Sequence, residues 1–224
     1  MRLGFTSDYL LNPLIKLIYP YVCQKCGELL SFGEVLLCKR CFDGLEFQPY
    51  FSKETYINVF RFSSVFSLGI HDGFLREFIH KMKYESCPSI GMRIILKAYN
   101  LGLLPMAEYK GKTLIPVPLH PSRLRERGFN QSELIGRALS EVVSCNYLNL
   151  LRRVKYTKPM VELNPKERES NIKGAFKVKS RKVPISVILV DDVLTTGSTI
   201  SECAYVLNNA GCKEIGLFTI SRAS

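Results

Sequence analysis

Ser186 to Gly211 reads SVILVDDVLTTGSTISECAYVLNNAG, and the order of residue types in it decides the fold. Val187 to Val190 is a short apolar run rich in β-branched residues, the pattern of a strand buried on both faces. Two adjacent carboxylates follow, Asp191 and Asp192, then Val193 and Leu194 and a hydroxyl-rich turn, Thr195-Thr196-Gly197-Ser198-Thr199. A helical pattern through Ile200, Ala204 and Leu207 closes at Gly211. Strand, acid pair, small hydroxyl loop and helix start come in that order.

That order has a chemical meaning. The first N–H groups of a helix have no intrahelical partner and lie at the positive end of its dipole, so they hold phosphate well. Gly197 lets the backbone approach closely, and the hydroxyls add donors. The loop has no Lys and does not match GxxxxGK[ST], which excludes an ordinary nucleotide P-loop. Two carboxylates repel a polyphosphate set directly against them, but they accept hydrogen bonds from vicinal hydroxyls or help hold a hydrated metal. A ribose 5-phosphate, with a phosphate at one end and a diol at the other, fits best. A plain strand–turn–helix with a capping Ser or Thr would explain the hydroxyls but not the acid pair.

Cys23-Gln24-Lys25-Cys26-Gly27 and Cys38-Lys39-Arg40-Cys41 are two CxxC knuckles. Their spacing can put four thiolates around one tetrahedral Zn²⁺ with no open position, so the expected ion is structural. A redox CxxC would need one pair in a thioredoxin-like βαβ context, which the flanking sequence lacks. Cys87, Cys145, Cys203 and Cys212 are isolated and read as buried or incidental. Eight cysteines without a visible secretory signal fit a reducing compartment, and no apolar run is long enough to span a membrane.

The 224 residues allow one sizeable core plus a small module. With 31 Lys+Arg against 20 Asp+Glu, the net charge of +11 suits a polyanionic partner. Asp8 to about Val22 has the spacing of a short amphipathic helix. Gln48 to Asn58 reads as a connection between modules, Val59 to Leu68 as a strand. Helices are expected from Asp72 to Tyr84 and over Ile90 to Leu101, and a buried strand over Lys112 to Leu119. His120 opens a basic segment carrying Arg123, Arg125 and Arg127, which leads into a helix striped by Leu134, Ile135, Ala138, Leu139, Val142 and Val143. Ligands in open α/β sheets sit at the carboxyl ends of strands. The three arginines could there clamp a pyrophosphate or a nucleic-acid backbone, or form a solvated basic turn. Leu151 to Phe176 is polar and irregular, either a lid or a long surface connection.

VILVDDVLTTGST closely resembles the PRPP-binding signature of type I phosphoribosyltransferases, an apolar strand followed by D-D-x-x-T-T-G-x-T. That resemblance implies that Asp191 and Asp192 hold the ribose hydroxyls while Thr195, Thr196, Gly197, Ser198 and Thr199 wrap the 5-phosphate, with Mg²⁺ accompanying PRPP. The whole chain resembles the ComF competence-protein family. The resemblance rests on the cysteine module, on HDG followed by a helix to KY (His71 to Tyr84), and on PVPLHPSRLRERGFNQSEL (Pro116 to Leu134). It also rests on the spaced set Thr157, Leu163, Arg168, Asn171, Ala175 and Phe176, with Met160 where the family often has Gln.

The resulting expectation is an α/β fold, a mainly parallel sheet flanked by helices of the type I phosphoribosyltransferase kind. Residues 1–55 would hold the N-terminal helix and the four-cysteine zinc module, residues 56–224 the phosphoribosyltransferase-like domain. The resemblance implies a role in DNA uptake during natural transformation, in the cytoplasm or at the inner face of the cell membrane, with a helicase as one partner. Three readings are open. The chain binds PRPP and single-stranded DNA, with Phe42, Phe47, Tyr50 and Phe51 offering faces for base stacking. Or it is an active phosphoribosyltransferase acting on an unknown acceptor. Or it senses PRPP without turnover.

Overall fold

The computed structural model describes residues 22–31, 33–84, 87, 89–156 and 172–224. The expected N-terminal helix and the spaced set from Thr157 to Asn171, Met160 included, lie outside them. The chain divides into two units, Met1–Glu46 and Phe47–Ser224. In the smaller unit the four cysteines sit on a short helix α1 (Lys39–Asp43) and the turns before it.

The larger unit is built on a six-stranded sheet. Its strands are β1 (Tyr50–Ile57), β2 (Phe60–Ile70), β3 (Thr113–Pro116), β4 (Asn146–Tyr147), β7 (Ser186–Leu194) and β8 (Glu214–Arg222), in the order β1-β2-β8-β7-β3-β4. β1 and β2 form an antiparallel hairpin, and every other pairing in this sheet is parallel. A separate ribbon pairs β5 (Leu151–Arg153) with β6 (Phe176–Val178). The expected lid or connection therefore begins and ends in paired strands.

Gln48 to Asn58 is not a connection. Tyr50–Ile57 pairs along its length with Phe60–Ile70, so the boundary between the units falls at Glu46 and Phe47 and not near residue 55. Alternating exposure in β1 is the reason it was missed, since an edge strand with one wet face carries no apolar run.

The helices are α2 (Gly73–Tyr84), α3 (Ser89–Asn100), α4 (Met106–Tyr109), α5 (Pro121–Arg127), α6 (Gln131–Val143) and α7 (Ser198–Asn209). Side chains alternate along β7. Val187 and Leu189 join Ile200, Ala204 and Leu207 of α7 in one buried cluster. On the opposite face α6 comes so close that a Cβ on Gly136 would lie 3.9 Å from Val190 Cβ. The helices after β3 and after β7 thus cover opposite faces, which opens a crevice at the carboxyl ends of these two strands, the usual ligand position in such sheets. Among the described residues no helix is long and apolar enough to cross a membrane.

Candidate functional site

The sulfurs of Cys23, Cys26, Cys38 and Cys41 all lie within 4.8 Å of one another. Cys26 Sγ and Cys38 Sγ are 3.7 Å apart. Four sulfurs on a tetrahedron about 2.3 Å from zinc are spaced by about 3.8 Å, so this donor set could hold a zinc ion. The knuckles are fixed by backbone bonds: Gly27 N–H donates to the Cys23 carbonyl at 2.8 Å, and Phe42 N–H to the Cys38 carbonyl at 2.8 Å. Gly27 takes φ +75°, which closes the first turn. Phe42 belongs to this unit's core at 6% exposure, so it offers no face to a base. Phe47 and Tyr50 are half-buried, under Lys97 and Arg222 respectively, and of the expected stacking residues Phe51 is the exposed one.

The second centre lies at the crevice. β7 continues through both acids to Leu194, and the chain then turns through Thr195 and Thr196 into Gly197, the N-cap of α7 at φ +73°. Among the described residues no side chain caps α7, so its first N–H donors are open at the crevice. A small pocket is lined by Asp191, Val193 and all of Thr195, Thr196, Gly197, Ser198 and Thr199. The structure therefore gathers the loop residues with the first acid. The hairpin tip buttresses this loop: Asn58 Nδ2 donates to the Thr196 carbonyl at 3.0 Å, and Ser201 Oγ to the Ile57 carbonyl at 2.8 Å. A Cβ on Gly197 would lie 2.1 Å from Ile57 Cγ2, so both backbone conformation and space demand glycine there.

The two acids have separate surroundings. Asp191 is half-buried and accepts from Ser132 Oγ at 2.7 Å, near the start of α6. Asn130 caps that helix by accepting from Ser132 N–H at 3.1 Å, which leaves the Ser132 hydroxyl to the acid. Asp192 is 4% exposed, and its Oδ2 lies 2.5 Å from Lys83 Nζ in the last turn of α2. Burial and then the neighbouring Asp192 charge push the Asp191 carboxyl up to about 7, against the pull of Ser132 and Lys83. Burial would raise Asp192 too, but Lys83 overcomes it and holds that carboxyl below its ordinary range. His71 Nδ1 lies 2.9 Å from Ser221 Oγ, and burial followed by the Lys83 charge lowers its pKa.

The arginine segment is a helix rather than a loop. His120 caps α5, its Nδ1 accepting from Ser122 N–H at 3.2 Å, and Gly128 ends it at φ +82°. One turn apart, Arg123 and Arg127 are half-buried, while Arg125 is exposed. Arg127 donates to Gln131 Oε1 at 2.6 Å and stacks over Tyr84 at 5.3 Å, which ties it to the scaffold. The three side chains thus do not form one clamp. Arg153 of β5 adds a positive charge felt by Asp191, Arg123 and His120 alike.

Lys83, Ser132, Arg153 and Asn58 were not singled out from the sequence. For Asn58 a signal existed, since Asn58-Val59 is a two-residue turn between strand-like runs. Lys83 and Arg153 carry no local signature of their partners.

Two outcomes test this geometry. Gly197→Ala should destabilise the chain by at least about 1–2 kcal/mol in urea unfolding, from the left-handed φ alone. Ile57→Ala should recover the part due to the clash. For Asp191, the folded carboxyl keeps a proton that the unfolded one loses near 3.8, so stability falls as pH rises from about 4 to about 7. Asp191→Asn removes that slope. Relative to the parent it should gain roughly 1–2 kcal/mol between pH 5 and 8, the full shift being discounted for partial exposure.

Residues 133–223 match the phosphoribosyl transferase domain family. Competence protein F of Haemophilus influenzae is 40% identical over 116 residues, which cover 50% of this chain and 51% of that protein. Competence protein ComFC of Streptococcus pneumoniae is 32% identical over 117 residues, 52% of this chain and 51% of that one. DNA utilization protein YhgH of Salmonella typhimurium is 26% identical over 205 residues, 90% of this chain and 84% of that one. The matches to the two competence proteins thus span about half of their lengths. The four-cysteine cluster ahead of a mainly parallel sheet that ends in an acid pair and hydroxyl loop, together with these relatives, supports the chain's similarity to the ComF competence-protein family.

Proposed function

We propose that the chain serves DNA uptake or utilisation, binding PRPP or a related sugar phosphate at Asp191 to Thr199 and single-stranded DNA on its basic surface. The observation that carries this reading is the uncapped start of α7 beside Asp191, where helix N–H groups and four hydroxyl side chains line one pocket. The phosphate would sit on the loop and the sugar ring beside Asp191. The names of the relatives, competence and DNA utilization, support the nucleic-acid half, as does the net charge of +11.

A second reading, transfer of ribose 5-phosphate from PRPP to an acceptor, is favoured by the guanidinium groups of Arg153, whose charge Asp191 feels, and of Arg123, whose charge acts on Arg153. They would supply positive charge toward a departing pyrophosphate. Magnesium would come in on the ligand's own phosphates, its usual mode. The protein offers it little, because Asp192 is already paired with Lys83 and, among the described residues, no third acid joins the two.

In the smaller unit, zinc held by Cys23, Cys26, Cys38 and Cys41 would act as a structural ion, since four thiolates complete its shell.

Labelled single-stranded DNA, titrated at two salt concentrations with and without PRPP and Mg²⁺, should bind in a salt-sensitive manner that PRPP modulates. Absent DNA binding with PRPP retained would sink the first reading, and pyrophosphate release dependent on one acceptor would establish the second. Asp191→Asn combined with Asp192→Asn should abolish PRPP binding without loss of fold; unchanged affinity would remove the loop assignment. Metal analysis should find about one zinc per chain, lost when Cys23 and Cys26 become Ser. Full zinc retention in that variant would rule out the four-thiolate site.

A further inference from the structure

Resting on the reading of Asp191 to Thr199 as a sugar-phosphate site, one further residue acquires a role. Asp192 follows Asp191 on a strand whose side chains alternate, and its carboxylate is only 6% exposed. A ring hydroxyl therefore meets Asp191 first. The group that covers Asp192 is the Lys83 ammonium, itself 22% exposed and 2.5 Å from Oδ2. One ammonium N–H serves Asp192 Oδ2, and the others remain available to a ligand. An ammonium carries three donors and no acceptor.

Among the described residues, the groups shown to feel this ammonium are Asp191, Asp192 and His71. Asp191 and Asp192 face it from β7, and both feel its charge. His71, at the end of β2, is disfavoured as a cation by burial and by the same lysine, while Asp72 and Arg76 on its own segment pull it in opposite directions. One fixed positive charge thus lies against two carboxylates.

We infer that Lys83 is a ligand-contacting residue, donating to the oxygens of a vicinal diol whose hydroxyls donate to Asp191, with Asp192 positioning the lysine. The ammonium then does at the acid pair what a divalent cation would otherwise do, and sugar-phosphate binding needs no metal there.

The test uses the full chain and ribose 5-phosphate, which lacks the pyrophosphate that would bring magnesium with it. Binding is measured by calorimetry in EDTA and again in magnesium chloride, with 2-deoxyribose 5-phosphate and inorganic phosphate as controls. Wild type should bind ribose 5-phosphate with affinities within about twofold in the two buffers. Lys83→Met should lose about tenfold or more in EDTA, the worth of a charged hydrogen bond. Magnesium should restore much of that, and Lys83→Arg should keep metal-free binding. The loss should shrink with the deoxy sugar and vanish with inorganic phosphate, which also reports that the loop is still folded. Asp192→Asn should weaken the ribose ligand in the same metal-dependent way.

Wild-type binding that requires magnesium would overturn the proposal. So would Lys83→Met binding as tightly as wild type in EDTA, or more tightly, which would make the lysine a competitor for Asp192. Wild type that binds inorganic phosphate and both sugars equally also overturns it, since the diol would then contribute nothing. Wild type that binds none of the three ligands refutes the sugar-phosphate reading itself, and this proposal with it.

Discussion

Two carboxylates in adjacent positions at the end of a buried strand are the constraint on which the site depends. Left alone, they would repel each other and lose hydration, and both would take up protons. The chain resolves this by giving each acid a different partner from a different helix. Ser132, freed by the Asn130 cap, donates to Asp191, and Lys83 from the end of α2 neutralises Asp192. One acid is thereby kept ionised, and the other titrates close to neutrality. A buried pair of this kind contributes little net stability, so its arrangement is better understood as serving the site.

The phosphate loop is held by a second set of contacts that comes from the far edge of the sheet. The tip of the β1–β2 hairpin carries Asn58 at φ +52°, and it reaches the Thr196 carbonyl and the Ser201 hydroxyl. Ile57 fills the space that any side chain at position 197 would need. The glycine of the loop is thus fixed by a strand that looked like a linker. Loop, hairpin and α7 meet at a pocket lined by the helix N–H donors and the loop hydroxyls, of which Thr196 and Ser198 are paired with each other.

The remaining basic groups separate by role once their surroundings are known. Arg127 is engaged with Gln131 and Tyr84 and helps fix α5 against the neighbouring segment. Arg123 and Arg153 lie close enough to the site that their charges shape each other and His120. Arg125 is turned outward. The alternation of arginines in the sequence therefore spreads charge around a helix, because successive residues advance by about 100° in a helix.

The sequence by itself determined the parallel α/β class, the acid pair and hydroxyl loop, and the four sulfurs, because each depends on residue types at short fixed spacing. The strand through Val190, the turn at Gly197 and the CxxC knuckles are local geometry, and local geometry is written in consecutive residues. Tertiary structure alone decided that Asp192 meets Lys83, that Asp191 meets Ser132, that Asn58 braces Thr196, and that Phe42 is core rather than surface. These contacts join segments from separate parts of the chain, and their partners carry no mark of each other in the sequence. Pairing with β2 made β1 a strand, and the turn of α5 divided the arginines. The first is set by a partner strand and the second by the helical backbone of α5, and residue types alone mark neither.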